Sequence, residues 1–162
     1  MALIGITRPE TREYVSEGDP SRTTRQVPVD PADPAKGTRE EVVLEDGATV
    51  FELGVLDVFL MGMIYDKSTS ITRGSDTEDV GFQTKVNQTN IETVRFGLKG
   101  WRNFKSPTGG DIAFAAEQRF VNGRTYQAVS DDCLNQLGIR LIREFAQEIK
   151  ANSEVRGHEA KN

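Results

Sequence analysis

Cysteine and histidine are almost absent, with one of each in 162 residues, Cys133 and His158. A single cysteine excludes an internal disulfide framework and fits a reducing cytosol, or an assembly formed there. A single histidine in a polar C-terminal stretch leaves nothing from which to build a histidine-based triad. No Cys/His cluster has zinc spacing, and Gly109-Gly110-Asp111 meets neither the phosphate-loop nor the dinucleotide pattern. Accordingly, no catalytic residue, metal ligand or cofactor is expected. Cys133 falls in the first turn of an expected helix, where it reads as a half-buried, inert thiol.

Long apolar runs are also missing. None approaches the roughly 18 residues of a membrane helix. The start, MALIGITRPE, lacks the charged leader and long apolar region of a signal peptide. A soluble, unprocessed chain in the cytoplasm is therefore expected. The hydrophobic fraction, 36%, is low for one compact globule, so part of the chain is expected to pack little. The net charge of −5 argues against a general nucleic-acid or membrane-surface binder. Charge is uneven, however: residues 1–50 hold six basic and ten acidic side chains, whereas 91–125 hold six basic and three acidic.

Five of the six prolines lie in the first 39 residues, with few large apolar groups among them. Proline at that density disfavours helix and central strand alike. Residues 1–39 are expected to form an extended or disordered arm, ordered against a neighbour or not at all. Residues 40–152 then form one α+β domain, and 153–162 a polar tail.

Within the domain, EEVVLE and ATVFEL flank Asp46-Gly47, predicting a hairpin over Glu41–Leu53. Asp57 predicts the cap of a helix, VFLMGMIYDKS, whose apolar residues surround its axis and imply burial on several sides. Met61 and Met63 read as adaptable core filling. Ser68–Gln88 is polar and expected to be an exposed loop. Its acidic residues Asp76, Glu78 and Asp79 lack the ligand pattern of a calcium loop.

Thr89 and Glu92 have the spacing of a capping box, followed by an apolar stripe of Ile91, Val94, Leu98 and Trp101. This predicts a central helix carrying Trp101 as a core anchor. Arg95, Lys99, Arg102 and Lys105 then line another face of it, either solvated or turned to an acidic partner. A second hairpin, AEQRFV-NG-RTYQAV, is marked by Asn122-Gly123, with Phe120 and Tyr126 as a candidate cross-strand pair. Ser130 predicts the cap of a long final amphipathic helix. Its apolar face, Leu134, Leu137, Leu141, Phe145 and Ile149, must dock on the domain or on a partner. The expected fold class is thus α+β, with two hairpins and about three helices.

One further pattern covers residues 91–162. A helix leads into Gly100-Trp101-Arg102-Asn103-Phe104, then a turn, then Gly110-Asp111-Ile112-Ala113-Phe114. A hairpin and the Ile142-Arg143-Glu144-Phe145-Ala146 helix follow. This arrangement resembles tail assembly chaperones and small proteins of the head–tail gene block of tailed bacteriophages. The proline-rich start departs from a compact chaperone and suits a virion protein. The resemblance implies a non-enzymatic role in phage assembly in the host cytoplasm, through protein–protein contacts. A chaperone would bind the tape-measure protein with its final helix. A structural virion component, whether connector, capsid-associated or tail protein, would use its arm to bind neighbouring subunits, including copies of itself. On either reading Leu134, Leu137, Leu141, Phe145, Ile149, Arg95, Lys99 and Arg102 are the candidate partner-binding residues.

Overall fold

The computed structural model describes residues 11–69 and 78–154. Their fold is α+β, with three helices and seven strands among the described residues. At its centre is a three-stranded antiparallel sheet in the order β1 (Arg12–Tyr14), β4 (Val50–Leu53), β5 (Leu98–Arg102). Two hairpins flank it: β2 (Arg22–Pro28) with β3 (Thr38–Leu44), and β6 (Ala116–Val121) with β7 (Arg124–Val129). The helices are α1 (Val58–Thr69), α2 (Glu78–Gly97) and α3 (Asp131–Ser153).

Phe51 on β4 is the hub of the core. Its ring centroid lies 4.5 Å from Phe145 of α3, 5.5 Å from Phe104 and 6.3 Å from Trp101. Such tilted and edge-on contacts add to the burial of the rings themselves. Val94, Leu98, Val129, Phe145 and Ile149 close around this point, each essentially inaccessible. Trp101 is half-buried at the rim, where its indole N–H donates to the Ile112 carbonyl at 2.7 Å. It packs against the core from a strand, not from a helix.

That placement corrects the predicted central helix. α2 begins well before Thr89 and stops at Gly97, and the chain then runs as β5 alongside β4. Thr89 is not a cap; its carbonyl accepts from the Thr93 hydroxyl inside the helix. Helical propensity yields here because the strand lets Leu98 and Trp101 pack beside Leu53 and Phe51. Gly97 permits the exchange: its carbonyl accepts from Gly54 N–H at 2.7 Å, and Ile149 lies against its backbone.

The predicted hairpin over Glu41–Leu53 is corrected too. Both strands exist, and Gly47 takes a positive φ of 87° between them. They do not pair with each other. β3 turns back on β2, while β4 enters the central sheet between β1 and β5. The predicted boundary between arm and domain, after residue 39, consequently falls inside β3.

The remaining elements follow local signals more closely. The Asp57 carboxylate accepts from Leu60 N–H at 2.9 Å, capping α1 as expected. Leu60 and Ile64 are buried, whereas Val58 and Phe59 are exposed, so α1 is covered on fewer sides than predicted. Met61 and Met63 pack against the core. Asn122 and Gly123 both take positive φ, 47° and 81°, and close the β6–β7 hairpin. The proposed cross-strand pair fails by one position: Arg119 faces Tyr126, while Phe120 faces Thr125 and is 76% exposed. The period of two sends Phe120 and Tyr126 to opposite faces.

Ser130 caps α3, accepting from Cys133 N–H. The helix is interrupted at Gly138, whose φ of 70° and ψ of 162° belong to a region essentially confined to glycine. Residues predicted as a loop from 78 onward belong to α2. Asp76, the remainder of that loop over 70–77, and His158 lie outside the described residues. Among the described residues no helix is long and apolar enough to cross a membrane.

Candidate interaction surface

The final helix does not offer its apolar face outward. Leu134, Leu137, Phe145 and Ile149 are buried in the domain's own core, and Leu141 packs against it half-buried. Removing them from their present neighbours would open the hydrophobic centre of the molecule.

The basic stripe also dissolves, because its members lie on two different kinds of element. Arg95, at the end of α2, is buried and contacts Glu92 at 3.0 Å, Asp131 at 2.6 Å and the Val129 carbonyl at 3.3 Å. Its hydrogen bond holds the Asp131 carboxyl below the ordinary carboxylate range. Lys99, on β5, donates to the Phe96 carbonyl at 2.8 Å, and burial lowers its pKa. Arg102 reaches Glu13 of β1 at 2.6 Å, and Lys105 pairs with Asp111. These cations tie the fold together internally.

Cys133 is buried, its sulfur accepting from Ala115 N–H at 3.3 Å. A cavity of about 390 Å³ is lined by Met63, Ile64 and Lys67 of α1 and by Lys85, Gln88, Thr89 and Glu92 of α2. Among the described residues no group of three His, Cys, Asp or Glu is placed to hold a metal ion.

The β2–β3 ribbon is different in kind. Seven residues of each strand pair in continuous register, from Arg22 opposite Leu44 to Pro28 opposite Thr38. None of the fourteen is buried, on either face. Val42 and Leu44 are each 47% exposed on the same face. Among the described residues no other element packs broadly on the ribbon, and a two-stranded ribbon alone is marginal in water.

Local bonds hold both its ends. At the tip, Asp30 accepts from Ala32 N–H at 3.0 Å and pairs with Lys36 at 2.8 Å. Asp33 caps a short 3-10 helix, Pro34–Lys36. The proline-rich segment is thus the hairpin's connecting loop. At the base, the Asp19 carboxylate accepts from Ser21 N–H at 2.8 Å and Thr49 N–H at 3.0 Å. Just before it, Glu144 of α3 accepts from the Tyr14 hydroxyl at 2.9 Å, the Ser16 hydroxyl at 2.9 Å and Glu17 N–H at 2.7 Å. Arg12 adds an ion pair to Glu148 of the same helix. The ribbon therefore projects from a base bonded to the core.

Sequence reasoning placed its candidate partner-binding residues on the final helix and the basic stripe and did not single out the β2–β3 ribbon. The β-branched and apolar run in EEVVLE was legible as a strand, but its partner, RTTRQVP, is polar and contains proline and gives little strand signal. No family model, curated protein or solved structure matches the chain.

Proposed function

We propose that the chain is a non-enzymatic assembly protein of a tailed bacteriophage, acting as a structural subunit that binds neighbours through the β2–β3 ribbon. The ribbon carries this reading. A projecting, fully paired and uncovered two-stranded element gains stability when another chain packs on it or extends it. The phage setting rests on the resemblance over residues 91–162. Burial of Leu134, Leu137, Phe145 and Ile149 counts against a chaperone that offers its last helix to a tape-measure protein. On this reading the protein assembles in the host cytoplasm and remains in the particle, with connector, capsid or tail subunits as neighbours.

The test is mass spectrometry of purified particles beside the infected-cell lysate, for the natural chain and for one with residues 22–44 replaced by a short Gly/Ser link. The natural chain is expected in the particle and the ribbonless chain only in the lysate. Absence of the natural chain from particles would return the chaperone reading, and normal incorporation of the ribbonless chain would remove the ribbon from it.

A further inference from the structure

The ribbon has two edges, and they are not equivalent. β2 carries Arg22 and Arg25 and ends in Pro28, which has no N–H to offer a neighbour. β3 is free of proline and joins a β-branched and apolar run, Val42-Val43-Leu44, to charges of both signs. Among the described residues no other strand pairs with either edge.

The direction of the backbone groups on β3 follows from the bonds that bracket the ladder. Glu45 N–H donates to the Ser21 carbonyl, and Val29 N–H donates to the Gly37 carbonyl. Antiparallel pairs alternate between bonded and non-bonded positions. Odd-numbered residues from Gly37 to Glu45 therefore exchange bonds with β2. Glu40, Val42 and Leu44 turn their N–H and C=O groups outward, and their side chains are exposed. An edge of this kind is a template for another strand.

On the reading that the ribbon is a contact surface, we infer that its occupant is a second copy of the chain, paired β3 to β3 about a two-fold axis at Val42. The result is a four-stranded antiparallel sheet, β2–β3–β3–β2, with the two domains at opposite ends. Charge fits a second copy in this register and disfavours the two adjacent ones. Centred on Val42, Arg39 of each copy lies opposite Glu45 of the other, Glu40 opposite Leu44, and no like charges face each other. Moving the axis to Glu41 sets Glu41 against itself. Moving it to Val43 sets Glu41 against Glu45. Like charges directly opposite are destabilising in a sheet, so both shifts are disfavoured. The Val42 axis also sets the exposed Val42 side chains of the two copies directly opposite each other, so that each shields part of the other from water. The contact is isologous, the commonest form of closed association.

The full-length chain is measured by sedimentation velocity across a concentration series, with backbone amide exchange followed by NMR. A dimer is expected, with Glu40, Val42 and Leu44 amides protected at high concentration and exchanging fast on dilution. Arg39→Glu and Glu45→Arg should each weaken the dimer roughly tenfold, because two ion pairs become two repulsions. Arg39→Glu combined with Glu45→Arg should restore it. Both positions are exposed, so circular dichroism should show an unchanged fold.

A natural chain that stays monomeric at roughly 100 µM, a concentration far above the Kd of a specific complex, would overturn the self-pairing. So would a double variant as weak as either single one. A monomer whose ribbonless form still fails to enter particles would leave the ribbon as a contact for a different subunit. In that case the proposed function stands while the self-pairing falls.

Discussion

Ile149 rests directly on the backbone of Gly97. A Cβ added to Gly97 would lie 2.6 Å from Ile149 Cδ1 and 2.6 Å from Cγ2. Ile149 is fully buried on α3, so its side chain has little room to move aside. Gly97→Ala is therefore expected to destabilise the protein by about 1–3 kcal/mol, the usual cost of overpacking. Chemical denaturation measures it. Ile149→Val in the same chain should recover part of the loss, and an unchanged midpoint for Gly97→Ala would contradict the close approach.

Phe51 joins β4 to α3 and to the aromatic cluster that contains Trp101. Phe51→Ala should cost about 3–5 kcal/mol, through lost burial and the cavity left behind. Trp101 is the chain's one tryptophan, so the loosened cluster can be read directly from its fluorescence. A shift to longer wavelength is expected, together with the lower unfolding midpoint.

Glu144 holds the segment that leads into the ribbon, through two hydroxyls and one backbone N–H. Glu144→Ala should lower stability by about 1–3 kcal/mol, since hydrogen bonds to a charged acceptor are among the stronger ones. Hydrogen exchange should rise over residues 14–19 while the α2–α3 core keeps its protection. Equal loss of protection in both regions would mean that Glu144 supports the whole fold and not the ribbon's base.

Tyr14 provides a pH signature. Burial, followed by its hydrogen bond to Glu144 and the charge of that carboxylate, raises the phenol's pKa well above its ordinary value. A group whose pKa is raised in the folded state contributes stability that is complete below the unfolded value, about 10, and is lost as pH rises beyond it. Above about pH 10 the natural chain should therefore lose stability more steeply than Tyr14→Phe. Parallel curves for the two chains would show that Tyr14 ionises as freely in the fold as outside it.

Several elements were legible because a few neighbouring residues suffice to specify them. Asn122-Gly123 closes its hairpin whatever lies around it, since both positions accept positive φ. Ser130 and Asp57 cap their helices through contacts only three residues away. The apolar stripe of α3 was equally plain, and the domain core was the first place available to bury it.

Strand partnership was not local. VVLE and VFEL are rich in strand-forming residues, and Asp46-Gly47 lies between them as a hairpin turn would. Yet pairing β4 with β1 and β5 puts Phe51 between Trp101 and Phe145, a gain in burial that the local hairpin does not provide. The same competition converted Leu98–Arg102 from a predicted helix into a strand and scattered the basic stripe among separate ion pairs and a backbone carbonyl. By itself, the sequence of this protein determined where helices are capped, where turns fall and which residues are apolar enough to enter a core. Only the tertiary structure decided which strands meet and which apolar residues stay outside. Those outcomes depend on burial summed over distant segments, and no window of adjacent residues contains that sum.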